Sequence, residues 1–495
     1  MYYRELQQKY RLSEKYLENY IPGKLCRIAL GFPNTYRVGM GSLGFQIVYS
    51  ILNNNPKCSA ERFFLPETET DEIVTIETER NIGSFDAMGF SVSFEMDYPN
   101  ILSILKGAKI PVLRKDRGEN VPLVFAGGAI TLINPFAISE FMDFFILGDG
   151  EEILDWVCDI ISQNISKEEK LRLLSENSHI LVPSFPKEIY EKRTVCNLSD
   201  YICHSVITTP YAEFGDTVLF EISRGCPRGC SFCAAGHIQK PFRLRKPVLG
   251  DDLPIYDSYG IVGAAVYDNP YSEDLCRKIA DRGGKFSLSS IRLETLNEEK
   301  LSVMQKAGIK TVTIAPEAGT ERLREYIGKK CSDEKIMNAV DLSYKMGIRK
   351  FKLYFMIGLP GETDEDIQGI IDLVSGLCEK YKKAHFTPSC GSFVPKPHTK
   401  YENMPMDREQ SLKKKLETIK KALNKIKNAD VSSESPRMAK IQAILSRADS
   451  DLGRDYLLTV MEEGWTSAGR KYREEIDRIL YSSENTDPQW NKIRI

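Results

Sequence analysis

Short apolar runs alternate with longer amphipathic segments along most of this chain. CRIALGF, beginning at Cys26, reads as a buried strand, and residues 43–52 carry the apolar spacing of a helix. ERFFLPE, DAMGFSVSF, PLVFAGGA and DFFILGDGEE continue the series, with helices expected over residues 100–105 and 153–161. Strand and helix alternating at this spacing predict a parallel, doubly wound sheet, whose ligands sit at the carboxyl ends of its strands. The leading segment MYYRELQQKYRLSEKYLENY is polar, amphipathic and helical in pattern, ending near Pro22 and Gly23. Residues 166–215 form a charged, irregular connection. It contains one expected strand, HILVPSFP, and scattered Cys196, Cys203 and His204, which lack the tight spacing of a metal site.

A second α/β array starts at residue 216, with strands TVLFEIS, GIVGAAVYD, KFSLSSIRL, TVTIAP, RKFKLYFMIG and HFTPSCGSFV. Helices are expected between them, for example over residues 297–307 and 333–345. Past residue 400 the pattern turns helical. Residues 407–428 form a lysine-rich helix in which Leu412, Leu416, Ile419 and Leu423 share one face, the signature of a solvated basic face over a packed stripe. The expected domains are residues 1–25 (helical segment), 26–165 (doubly wound sheet), 166–215 (linker), 216–400 (second array) and 401–495 (helical region).

Composition narrows the class. Hydrophobic content of 42% and charged content of 27% over 495 residues are those of a globular protein of more than one domain. A formal net charge of −2 gives no general attraction for nucleic acid. No stretch approaches the ~20 apolar residues of a membrane span. The N-terminus does not resemble a secretory signal, so the twelve scattered cysteines point to a reducing, cytoplasmic setting.

Chemistry concentrates in EISRGCPRGCSFCAAG, where Cys226, Cys230 and Cys233 stand as C-x-x-x-C-x-x-C directly after an apolar run. Thiolates are the ligands of iron–sulfur clusters, which normally take four. Three thiolates on a 4Fe-4S cubane leave one iron open to bind a small molecule. Gly225, Pro227 and Gly229 suit a tight loop around one face of such a cluster. A zinc site would want a second C-x-x-C pair, and none occurs.

This motif, with Phe232 before its third cysteine, resembles the signature of the radical S-adenosylmethionine enzymes. The resemblance implies that the open iron chelates the amino and carboxylate groups of S-adenosylmethionine. One electron then cleaves the sulfonium to methionine and a 5′-deoxyadenosyl radical. It also implies an open (β/α)6 partial barrel for the second array. Four further places match family motifs. Ala264-Ala265-Val266-Tyr267-Asp268-Asn269 occupies the place of the G-G-E segment that holds the methionine amino group through backbone carbonyls, although G-G-E itself is absent. TIAPEAGTERLR resembles a ribose-contacting run, with Glu317 as acceptor of the ribose hydroxyls and Gly319 allowing close approach. A capping role at a helix start also accounts for Glu317. Gly358 begins GLPGET, which resembles the segment near adenine. FVPKPHT, with Lys396 and His398, resembles the sixth-strand ending of a subgroup that also carries a cobalamin-binding-type domain. Cys390, just before it, is a tentative catalytic thiol, and a small buried hydrophobe otherwise.

The first array resembles that cobalamin-binding-type domain. Its D-x-H-x-x-G loop corresponds to Asn34-Thr35-Tyr36-Arg37-Val38-Gly39, so Tyr36 stands in place of the axial histidine. Ser91, Ser93, Gly127 and Gly128 match the serine and diglycine at strand ends. Tight-turn chemistry accounts for them equally, and fold alone does not fix a ligand. The resemblance covers residues 26–400. It implies a 4Fe-4S cluster, S-adenosylmethionine, an external one-electron donor such as flavodoxin or ferredoxin, and a substrate the sequence does not identify. With cobalamin the expected reaction is methyl transfer to an unactivated carbon. Without it, a radical rearrangement or a methylthiotransferase-like modification of tRNA remains open. A non-catalytic iron–sulfur carrier or sensor would leave the adenosine-type motifs unused.

Overall fold

A computed structural model describes residues 2–18, 24–68, 70, 72–289, 291–482 and 487–495. The helix Tyr2–Ser13 opens the chain, while the expected stop at Pro22 and Gly23 lies outside the described residues. The chain divides into two compact units. One comprises Met1–Phe220, Leu445–Ile476 and Thr486–Ile495; the other comprises Glu221–Ile444 and Asp477–Asn485. The C-terminal region expected as one piece is thus shared between the two.

The first unit is built on a sheet of β1 (Cys26–Phe32), β2 (Cys58–Phe64), β3 (Ala87–Ser91), β4 (Leu123–Gly127), β5 (Phe144–Ile146) and β6 (Ile180–Leu181). Its order is β2-β1-β3-β4-β5-β6. The first five strands are parallel and β6 runs antiparallel to β5. Helices Leu43–Asn54, Tyr98–Gly107 and Leu154–Ile161 lie in the connections, giving the expected doubly wound form. Strand β1 is buried nearly throughout, which is why its sequence is one apolar run and not an alternation. The helix Ser450–Glu463 belongs to this unit. Gly453 comes so close to Ala137 that a Cβ would lie 2.1 Å from its carbonyl oxygen. Nearby, the Asn134 amide donates to the Ala448 carbonyl at 2.7 Å.

The second unit begins at Glu221, the last residue of the strand Val218–Glu221, and repeats strand and helix. Strands β7 (Val218–Glu221), β8 (Ser258–Val262) and β9 (Lys285–Leu288) form one sheet. Strands β10 (Thr311–Glu317), β11 (Lys350–Ile357) and β12 (His385–Ser392) pair in parallel in a second, extended by the short strand Ser432–Ser433. Helices Ser272–Asp281, Glu298–Lys306, Asp333–Lys345, Asp364–Lys380 and Glu409–Leu423 follow successive strands. This is the open strand–helix array of a partial barrel. Alternation along β11 is strict: Phe351, Leu353, Phe355 and Ile357 are buried, while Lys352, Tyr354 and Met356 point the other way. In the helix Glu409–Leu423, Leu412, Leu416, Ile419 and Leu423 are buried as the pattern predicts. No helix among the described residues is long and apolar enough to cross a membrane.

Candidate iron–sulfur and S-adenosylmethionine site

The cysteine loop leaves the end of β7 and is closed at its base. Ser223 and Arg224 pair antiparallel with Leu244 and Arg243. Gly225, at φ +82°, fits under this closure because a Cβ there would lie 2.3 Å from the Gln239 carbonyl oxygen. Glu221 pins both sides of the base. It accepts from Arg224 Nε at 2.9 Å and from Arg245 Nη2 at 3.2 Å. The outer part of the loop is docked at two further points. The Ser231 N–H donates to the Ile327 carbonyl at 2.9 Å, and Arg228 reaches Asp268 at 3.2 Å. Phe232 packs against an apolar cluster of Ala318, Leu323, Ile327, Leu359, Phe393 and Tyr401. The aromatic before the third cysteine is therefore an anchor.

Cys226, Cys230 and Cys233 are all free and half-buried. Burial raises the pKa of Cys230 and Cys233; the charges of Cys233 and Cys226 add to this at Cys230, and that of Cys226 at Cys233. Opposing this, Lys329 favours the Cys230 thiolate, and the backbone N–H groups of Gly236 and Ala235 favour that of Cys233. Among the described residues no three His, Cys, Asp or Glu side chains converge on a single metal ion. Three free thiols on one docked loop are the donor type that iron–sulfur clusters take. The donor set fits a 4Fe-4S cluster.

Glu317 ends β10 at φ +72°, next to a break in register between β10 and β11. Its carboxylate accepts from Lys329 Nζ at 3.0 Å, and burial raises its pKa. Thr320, not Glu317, caps the following helix, since its hydroxyl accepts from the Leu323 N–H. The capping account of Glu317 therefore falls away, leaving a partly buried carboxylate whose charge is felt at Cys230. Lys329 was not legible in the sequence. It belongs to a run of two lysines after a helix, and only the fold brings it to Cys230 and Glu317.

Other expected site residues have different surroundings. Gly319 meets the helix Asp364–Lys380: a Cβ would lie 2.0 Å from the Asp366 carbonyl oxygen, so the close approach it permits is helix packing. Gly358, at φ +77°, has the Leu412 side chain 2.7 Å from its Cβ position and donates its N–H to Glu362 at 2.9 Å. It is a turn residue under the helix Glu409–Leu423. Ala265 is buried and its carbonyl accepts from the Asp268 N–H at 3.0 Å, while Ala264 beside it is exposed. Tyr267 is buried, with Lys300 Nζ 5.1 Å over its ring. Cys390 shares the buried side of β12 with Phe386, on the face turned to the helix layer. Burial pushes its thiol up to about 12. These surroundings are those of a small buried hydrophobe, the second of its two readings.

In the first unit, Ser91, Gly127 and Gly128 are partly exposed at the ends of β3 and β4, and Ser93 is exposed just beyond. Gly128, at φ +102°, turns so tightly over Val92 that a Cβ would lie 2.6 Å from its carbonyl oxygen. Gly127 has open space beside it, with the nearest atom, Ile146 Cβ, 4.0 Å from its Cβ position. Tyr36 is fully buried, stacked on Tyr10 with ring centroids 4.0 Å apart, and its hydroxyl donates to Glu14 at 2.7 Å. Burial raises its pKa, so it cannot offer a phenolate. Open space at the end of β4 is thus confined to Gly127, and the Tyr36 hydroxyl is engaged by Glu14.

Two family models match. The radical SAM superfamily model covers residues 220–374, and a model of the N-terminal part of radical SAM proteins covers residues 44–183. The chain is 34% identical over 437 residues to the uncharacterized protein MJ0966 of Methanocaldococcus jannaschii, covering 86% of this chain and 90% of that protein. It is 26% identical over 292 residues to the uncharacterized methyltransferase PH0819 of Pyrococcus horikoshii, covering 56% of this chain and 62% of that one. Among solved structures, the cobalamin-dependent S-adenosylmethionine radical enzyme OxsB with aqua-cobalamin bound matches at TM-score 0.50 and 16% identity. That match covers 70% of this chain and 52% of the other, and shows likeness of fold.

Proposed function

This chain belongs to the radical S-adenosylmethionine superfamily of enzymes, and from that premise we propose that it transfers a methyl group to an unactivated carbon, with a cluster on Cys226, Cys230 and Cys233 and cobalamin at the β3–β4 edge. The observation that carries the reading is the docked three-thiol loop beside the partly buried Glu317–Lys329 pair. When bound, the cluster supplies one electron and an open coordination position for S-adenosylmethionine. The chain's own part is positioning. Glu221 with its two arginines fixes the base of the loop, and Phe232 and Ser231 fix its tip. The Glu317 carboxylate is held in place by Lys329, ready to accept from a pair of ribose hydroxyls.

Glu317→Gln tests this last role. It removes the charge and keeps the shape, so S-adenosylmethionine affinity should fall by roughly 1.5–3 kcal/mol, the range for hydrogen bonds to charged groups. Iron content should be unchanged. Unaltered affinity in anaerobic titration would return Glu317 to a purely structural partner of Lys329.

The cobalamin part has its own test. The protein is purified and reconstituted anaerobically after growth with excess cobalamin, and its absorption spectrum reports cluster and corrinoid together. In the cobalt(II) state, electron paramagnetic resonance should show no axial nitrogen traceable to a protein histidine, because buried Tyr36 stands where that histidine would be. Splitting that responds to isotopic labelling of histidine contradicts the assignment. Retention of no corrinoid removes cobalamin from the reading and leaves radical chemistry without it.

A further inference from the structure

The face of β10, β11 and β12 turned away from the helix layer is polar in a specific way. In register, Thr313, Lys352 and Thr387 form one row across the three strands. Two residues further along, Tyr354 and Ser389 form the next, and above them Met356 aligns with Gly391. Successive rows lie roughly 6.6 Å apart along a strand. Met356 touches the apolar cluster that seats Phe232, so the top row abuts the cysteine loop and the lower rows lead away from it.

Lys352 is the one charge in the two lower rows. No carboxylate lies within ion-pairing distance of it among the described residues, and its ammonium sits 4.8 Å over the Tyr354 ring. Tyr354 is 39% exposed, an uncommon state for a tyrosine in mid-strand. The acids on this face are elsewhere: Glu317 is paired with Lys329, and Glu434 lies at the level of Gly391. A cation without a counter-charge, flanked by three hydroxyl side chains and a phenol, is a set of donors awaiting an acceptor.

We infer that this face is an oxyanion-binding floor, in which Lys352 with Tyr354, Thr313, Thr387 and Ser389 holds a phosphoryl or carboxylate group of the substrate. The inference rests on the proposed function, because it makes this face the substrate side of the radical site. It assigns the substrate class as anionic and sets the anion one to two rows from the cysteine loop. Lys352 is then a specificity determinant, and the carbon to be attacked lies within a small-molecule length of the charged group.

The test uses inorganic phosphate as the probe, followed by 31P relaxation at fixed ionic strength, with succinate as competitor. Wild-type protein should bind phosphate, and Lys352→Met should weaken binding about tenfold or more, as expected for loss of one charge-assisted hydrogen bond. Lys352→Arg should retain most of it. Lys310→Met, which removes an exposed cation just before β10 begins, should match wild type. Displacement by succinate at lower concentration than phosphate itself requires assigns a carboxylate; resistance to succinate assigns a phosphoryl group. Failure of wild type to bind both phosphate and succinate overturns the inference, as does equal loss in Lys352→Met and Lys310→Met. No reductant or S-adenosylmethionine is present, so this result is independent of whether the wild-type protein cleaves S-adenosylmethionine.

Discussion

Cys230→Ala is expected to abolish reductive cleavage of S-adenosylmethionine and to leave the fold nearly unchanged. Both halves follow from the placement of the residue. It is half-buried, and among the described residues its sulfur makes one polar contact, a weak 3.9 Å approach to the Gly328 carbonyl. Removing it costs about 1 kcal/mol or less, the usual size for a side chain outside the core. The loop keeps its shape without it, because Ser231, Phe232, Arg228 and the Arg224–Glu221 clamp are untouched. A cubane left with two thiolates from this loop loses its coordination geometry, and the electron has no route to the sulfonium. The measurements are 5′-deoxyadenosine formed under anaerobic reductant, iron content after reconstitution, and circular dichroism. Full iron content with retained cleavage in the variant would falsify the assignment of this loop.

What the sequence made legible follows the strength of local signals. CRIALGF is β1 to the residue, because an apolar run broken only by Arg27 near its start suits a strand covered on both faces. The helix Asp333–Lys345 was equally plain, with Ser332 before it as an acceptor for the Lys335 N–H. The cysteine spacing is local chemistry and needed no fold. Residues whose role depends on what approaches from elsewhere were not readable. Gly319 and Gly358 look like ligand-contacting glycines in their motifs, yet one admits the backbone of a helix and the other the side chain of Leu412. A missing Cβ declares that something comes close, but not what. Cys390 was ambiguous for a related reason: strand parity assigns it to a face, and only the helix layer shows which face is covered. Lys329 carries no motif, and its meaning comes from Cys230 and Glu317 alone.

Arg62→Met should unfold the first unit more readily than any surface change, by about 3–5 kcal/mol, the range for breaking a buried ion pair. Arg62 is completely buried. Its Nη1 and Nη2 donate to the two oxygens of Glu14 at 2.8 Å each, and its Nε donates to Glu77 at 2.6 Å. Glu14 also accepts from Tyr36 at 2.7 Å, so this one guanidinium ties the segment after the first helix to β2 and to the loop after β1. Methionine fills similar volume but leaves two buried carboxylates without a cation. Burial already raises the pKa of Glu77. In the variant Glu77, stripped of its cation, should be raised further, above its unfolded value. A folded state that binds more protons than the unfolded state loses stability as pH rises through that window. The destabilisation should therefore be larger at pH 8 than near pH 5, and Glu14→Gln with Glu77→Gln should recover part of it. Tryptophan fluorescence in urea is a clean reporter, since the chain's three tryptophans, Trp156, Trp465 and Trp490, all fall in the first unit. A urea midpoint equal to wild type at pH 8 would show that the Glu14–Arg62–Glu77 cluster is dispensable for this unit.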